Sequence, residues 1–182
     1  MFDRQTPAEI AAQLADDGPV MTAFRWLEMV IHEDDFRAIW RGLDADFRLV
    51  IAQAWLWANR DHPDVVGYDL EGAGHVLASI DEQHDLRDAF ASAQLGEFRA
   101  AWTFVDTTML GGASRPRIVA PDYEAVILAP TEGVPIYADT PTEIADALRF
   151  LMHCSHGRWL VAGFQTDDIP NPTWPPRPPA AE

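Results

Sequence analysis

The chain predicts an α+β fold, N-terminal helices packed on a curved antiparallel sheet, and three observations carry the prediction. Apolar residues recur at helical spacing over 20–32, 44–60 and 82–102, with a break at 61–64 and an ambiguous stretch at 65–81, then alternate from residue 117 onward. Residues 147–164, ALRFLMHCSHGRWLVAGF, read as two strands joined by a tight turn at His156-Gly157. Helices first and strands afterwards is the order of an α+β domain. One domain over 1–166 and a Pro-rich tail over 167–182 are expected from the length of 182 residues and the change in composition.

The hairpin fixes the most detail. A two-residue loop needs positive φ at its centre, and Gly157 supplies it without steric cost. Ser155 then pairs with Arg158, Cys154 with Trp159, Met152 with Val161 and Phe150 with Gly163. One face carries Leu148, Phe150, Met152, Cys154, Trp159 and Val161 and is wholly apolar, so it is the expected core face. The other carries Arg149, Leu151, His153, Arg158, Leu160, Ala162 and Phe164. Its apolar members form a patch too greasy for open water. A second copy of the chain, or a cover from residues 82–116 or the tail, is expected on it.

In order along the chain, residues 7–16 read as a short helix capped by Thr6, with Pro7 at its first position. Residues 20–32 form a stronger helix with a stripe of Phe24, Leu27, Val30 and Ile31 beside Ala23. His32-Glu33-Asp34-Asp35 has metal-ligand residue types, but four adjacent residues rarely converge on one ion. Asp34 is read as the N-cap of a helix over 35–42. Residues 44–60 form a helix capped by Asp44, whose stripe is Phe47, Val50, Ile51, Ala54 and Ala58, with Arg48 and Gln53 off it. Trp55 and Trp57 cannot face the same way; one borders a pocket, an interface or a loop, or both pack at the core rim. Helical content resumes after Asp69 and again over 82–102, where Leu86, Phe90, Ala93 and Phe98 make a stripe and Gly96 is a possible kink. Residues 111–117, GGASRPR, read as a loop. A strand spans Tyr123–Ala129, a turn Pro130–Gly133, and a further strand 134–139.

Composition excludes several function classes. The 13 basic residues are all Arg and scattered singly against 29 acidic ones, for a net charge of −16. Nucleic acid and anionic membranes are therefore not expected partners. The single Cys154 rules out an internal disulfide and is expected to behave as a small buried hydrophobe. No apolar run approaches a membrane span, and the acidic N-terminus lacks a signal-peptide pattern, so a cytoplasmic location is expected. The tail has six prolines in sixteen residues and is expected to be extended and dispensable for folding, with Trp174 able to anchor it.

The segments FRAIWRGLDADFRLVIAQAW, 36–55, and GRWLVAGF, 157–164, resemble the nuclear-transport-factor-two-like superfamily, over roughly residues 20–165. The resemblance implies a cone in which a strongly curved sheet wraps a long helix around an apolar pocket, with dimers frequently formed through the outer sheet face. Region 61–116 is longer than a minimal member needs, and the tail lies outside the pattern. Members include SnoaL-like polyketide cyclases, ketosteroid isomerase, scytalone dehydratase and limonene epoxide hydrolase, and many non-catalytic binding domains. Fold alone does not choose among them.

An apolar pocket is expected where the largest side chains of the periodic faces meet. Phe150, Met152 and Trp159 from the hairpin would oppose Phe24, Phe47 and Trp55 from the helices. Asp106 and Tyr123 are the polar groups best placed to enter it, and Arg117 could hold an anion. No spacing predicts a reaction, a cofactor or a metal. The expected function is a small-ligand-binding or association domain that takes an apolar small molecule, with a homodimer through the outer sheet face. A small-molecule enzyme of the cyclase, isomerase or dehydratase kind is the alternative, and a peptide-partner module using the tail is a third.

Overall fold

In a computed structural model, residues 17–112, 117–130 and 147–176 are described. The expected helix 7–16 and strand 134–139 lie outside them. The described residues form helices α1 (Pro19–His32), α2 (Phe36–Arg41), α3 (Ala45–Ala58), α4 (Leu70–Ala78) and α5 (Arg87–Trp102), then a 3-10 turn at Thr107–Met109. Strands β1 (Leu110–Gly112), β2 (Arg117–Ala120), β3 (Tyr123–Pro130), β4 (Leu148–Ser155) and β5 (Arg158–Phe164) follow. All strand pairings are antiparallel and the sheet is open. β3, β4 and β5 run in order, while β1 and β2 share the other edge of β3. The α+β prediction therefore holds, and the architecture is compatible with the resemblance. No helix among the described residues is long and apolar enough to cross a membrane.

The hairpin forms as read, with His156 and Gly157 at φ 52° and 75°. Ser155 pairs with Arg158, Cys154 with Trp159 and Met152 with Val161. Beyond that a bulge at Leu151/Met152 shifts the register, so Phe150 faces Phe164 instead of Gly163. The shift moves Phe164 off the outer face and onto the inner side, against the core. There its ring lies 5.0 Å from Trp26, 5.1 Å from Phe47 and 5.9 Å from Phe98 and Phe150. Cys154 is half-buried, not buried, because it sits near the turn end of β4.

The outer-face patch that motivated a homodimer is consequently not an open surface. Leu151 and Ala162 are fully buried within one chain, Phe164 is partly buried against the core on the other side, and Leu160 is half-buried. The chain after β5 turns back over this face. Arg149 donates to the Gln165 carbonyl at 3.1 Å, and Asp167 pairs with Arg149 and with Arg117. Arg117 is thus committed to Asp167. Trp174 then meets Trp57 on α3 at 5.8 Å, edge to face, with Arg60 over the Trp57 ring. Deleting residues 167–182 is expected to lower stability by about 1–2 kcal/mol, from the partly buried Arg149–Asp167 pair and the Trp174 contact, with the exposed Arg117 adding little. Trp174→Ala alone is expected to lower it by about 1 kcal/mol. Thermal melts of the two variants check both figures; an unchanged melt of the truncated chain would restore the expectation of a dispensable tail.

Other sequence expectations shift for local reasons. Asp35, not Asp34, caps α2 by accepting from the Ala38 backbone N–H at 3.1 Å, and Asp34 pairs with Arg99 at 2.7 Å. Gly111 and Gly112 belong to β1, paired with Ala129 and Leu128, instead of a loop. Gly96 sits within an unbroken α5. Residue 26 anchors α1: Trp26 is 1% exposed and donates from Nε1 to the Ile39 carbonyl at 3.0 Å. Gly42 is needed there for space, not conformation. Its φ is an ordinary −76°, but a Cβ would come within 2.6 Å of Trp26 Cδ1.

Candidate functional site

The expected stripe of α3 is only partly buried: Phe47 and Ile51, with Trp55 beside them, pack against the edge of the core and leave one side open. The buried residues of α3 are Ala52, Gln53 and Leu56, with Leu49 packed at their edge. They meet Ala73, Gly74 and Leu77 of α4, whose small residues let the two helices close together. Phe47, Val50, Ile51, Ala54, Trp55 and Ala58 instead line a groove. Opposite them α5 presents Gln94, Phe98, Ala101 and Trp102, and Leu148, Phe164 and Gln165 lie at the end of the sheet. The space measures about 700 Å³, within the usual range for small-molecule sites.

Two aromatic clusters hold its walls. Trp26, Phe47, Phe98, Trp102 and Phe150 gather around Phe164. Phe36, Trp40 and Trp55 gather edge-on around Phe90. Such rings resist collapse because each is locked by several neighbours.

Of the eight site residues expected from sequence, Phe47 and Trp55 are brought together in the groove. Phe150 and Met152 are fully buried in the packed core and present no surface to it. Phe24 and Trp159 are partly buried against the core and do not line the groove. Asp106 is exposed and caps the 3-10 turn, with hydrogen bonds from the Thr108 hydroxyl at 2.6 Å and backbone N–H at 3.0 Å that hold its carboxyl below the ordinary range. Tyr123 stacks on His153 with rings 4.2 Å apart.

That stack belongs to a polar cluster that strand alternation did not suggest. With the proton on Nδ1, His153 donates to Asp44 Oδ2 at 2.6 Å. Asp44 is 4% exposed; its Oδ1 accepts the Asp46 N–H at 3.0 Å, and its own N–H donates to Val161 O at 2.8 Å. Burial, and then the charges of Asp44, Asp46 and Asp122, push the Tyr123 hydroxyl up. Burial draws the Arg48 guanidinium down, opposed by Asp44, while Arg48 donates to the carbonyls of Leu43 and Ala78 at 2.7 and 2.9 Å. An aspartate orienting a histidine is an acid–base arrangement in form. Asp44, His153 and Tyr123 nevertheless all lie outside the groove lining, and the pair ties the start of α3 to β4.

The α5 side of the groove was the part the sequence reading missed. Its signal was Gln94 standing between Phe90 and Phe98, four residues from each and thus on the same helix face. Comparisons of the chain with protein families, curated proteins and solved structures found no match.

Proposed function

We propose that the chain binds an apolar small molecule in the groove between α3 and α5, without catalysing a reaction on it. The observation that carries this is the groove itself, about 700 Å³ walled by Phe47, Ile51, Trp55, Phe98, Trp102 and Phe164. An acid–base reaction needs a positioned proton donor or acceptor beside the reacting atom. The cluster best suited to that task, Asp44 with His153, is elsewhere. The resemblance to the nuclear-transport-factor-two-like superfamily, with its apolar cone pockets, supports the same function.

The neutral dye Nile red tests the proposal. Saturable binding with a blue-shifted emission is expected from the full chain. Ala54 is exposed and lines the groove, so Ala54→Trp is expected to fill the space without disturbing the core and to weaken binding at least tenfold. No saturable binding, or binding indifferent to Ala54→Trp, would refute the proposal.

A further inference from the structure

One side chain in the groove wall does not match its surroundings. Gln94 is 3% exposed, lies between Phe90 and Phe98 on the buried stripe of α5, and lines the groove. Its Nε2 donates to Glu97 Oε2 at 3.3 Å, and its carbonyl oxygen has no partner among the described residues. A buried amide in an apolar wall is unfavourable unless something bonds it. Glu97, one turn further, adds an exposed carboxylate to the same wall. Of the groove's other polar groups, Gln165 has both ends of its amide engaged, and half-buried Asn59, at the end of α3, has its nitrogen engaged. Gln165 accepts from the Arg149 N–H and donates to the Ala147 carbonyl, both at 3.3 Å, and the Asn59 amide nitrogen donates to the Trp55 carbonyl at 2.8 Å. The Trp102 Nε1–H is buried without a partner among the described residues and offers a ligand no surface. No Arg or His lines the space.

Resting on the binding function above, we infer that the groove selects apolar molecules bearing a hydrogen-bond donor, alcohols or amines, and rejects apolar acids. A hydroxyl or ammonium group donates to the Gln94 carbonyl. An ammonium also gains the attraction of the Glu97 carboxylate. A ligand carboxylate has no donor cation in the lining and meets Glu97, in a chain of net charge −16.

Displacement of Nile red from the full chain by 1-decanol, decylamine, decyl methyl ether and decanoate tests this. Decanol is expected to bind about fivefold to tenfold tighter than the ether, the worth of one hydrogen bond. Decanoate is expected to be the weakest of the four. Gln94→Leu should bring decanol level with the ether; should that variant melt early, Gln94→Met serves in its place. Glu97→Gln should remove any advantage of decylamine over decanol and leave the alcohol preference intact. An ether that matches decanol on the wild-type chain, decanoate binding best, or an alcohol preference that survives loss of Gln94 overturns the inference. In each of those cases Nile red still binds and Ala54→Trp still blocks it, so the groove stands. Failure of Nile red to bind at all removes the binding function and this inference together.

Discussion

Trp26→Ala is expected to destabilise the chain by about 3–5 kcal/mol, the range for deleting a buried indole. The site offers little room for relaxation. Trp26 stacks on Phe164 at 5.0 Å and meets Phe98 and Phe150 edge-on at 5.6 and 6.2 Å, so the void would open in the middle of a rigid cluster. The Ile39 carbonyl would also lose its Nε1–H donor. Trp26→Phe keeps much of the volume and drops the hydrogen bond, and it should lose about half as much. Because Phe98 and Phe164 line the groove, Trp26→Ala should weaken Nile red binding as well, although Trp26 does not touch the space. Denaturant titrations check the stabilities. A loss below about 1.5 kcal/mol for the alanine variant would mean that the cluster repacks freely.

The hairpin was the most legible element because a two-residue turn and strict alternation leave only one register that sorts the faces. Its error began at the bulge, where Ala162 is inserted opposite Leu151/Met152. Bulges carry no fixed sequence mark, and one extra residue sent Phe164 from the expected outer face to the inner side, packed against the core at the groove wall. The stripe on α3 was read as one apolar face, with Phe47 and Trp55 expected beside a pocket, and that face does line the groove. Periodicity says that Phe47, Ile51 and Ala54 share a face, and it is blind to whether that face meets a packed layer or an open space. Trp26 escaped notice for a related reason. It flanks the stripe through Phe24, Leu27 and Val30, and α1 is covered over a wide arc by the sheet on one side and α5 on another. The bond between Asp44 and His153 joins residues 109 apart in sequence, a pairing no local pattern encodes. Gln94 stands four residues from both Phe90 and Phe98, a signal passed over when Ala93 was placed on the stripe instead.

Asp44→Ala is the second substitution expected to have a large effect, about 2.5–4 kcal/mol. Removing the cap of α3 contributes about 1 kcal/mol. The hydrogen bond to His153 joins a charged acceptor that is nearly fully buried, and its loss accounts for about 1.5–3 kcal/mol. Arg48 would also lose the carboxylate that opposes its desolvation. Asp44→Asn retains a cap oxygen for the Asp46 N–H and should lose less. His153→Ala leaves the cap in place but deprives Asp44 of one donor. A double-mutant cycle between Asp44→Ala and His153→Ala therefore isolates the pair, and a coupling of at least 1 kcal/mol is expected. Gly42–Asp44 also extend the sheet, since Leu43 bridges Val161 and the Gly42 carbonyl accepts the Val161 N–H at 3.0 Å. Loosening Asp44 should accordingly speed hydrogen exchange at Val161 and in the first turn of α3 before the rest of the sheet. Nile red affinity should be unchanged in Asp44→Asn under conditions where the chain remains folded, because the cluster supports the scaffold and not the groove. Loss of binding in that folded variant would place the Asp44–His153 pair in the ligand site and reopen the enzymatic alternative.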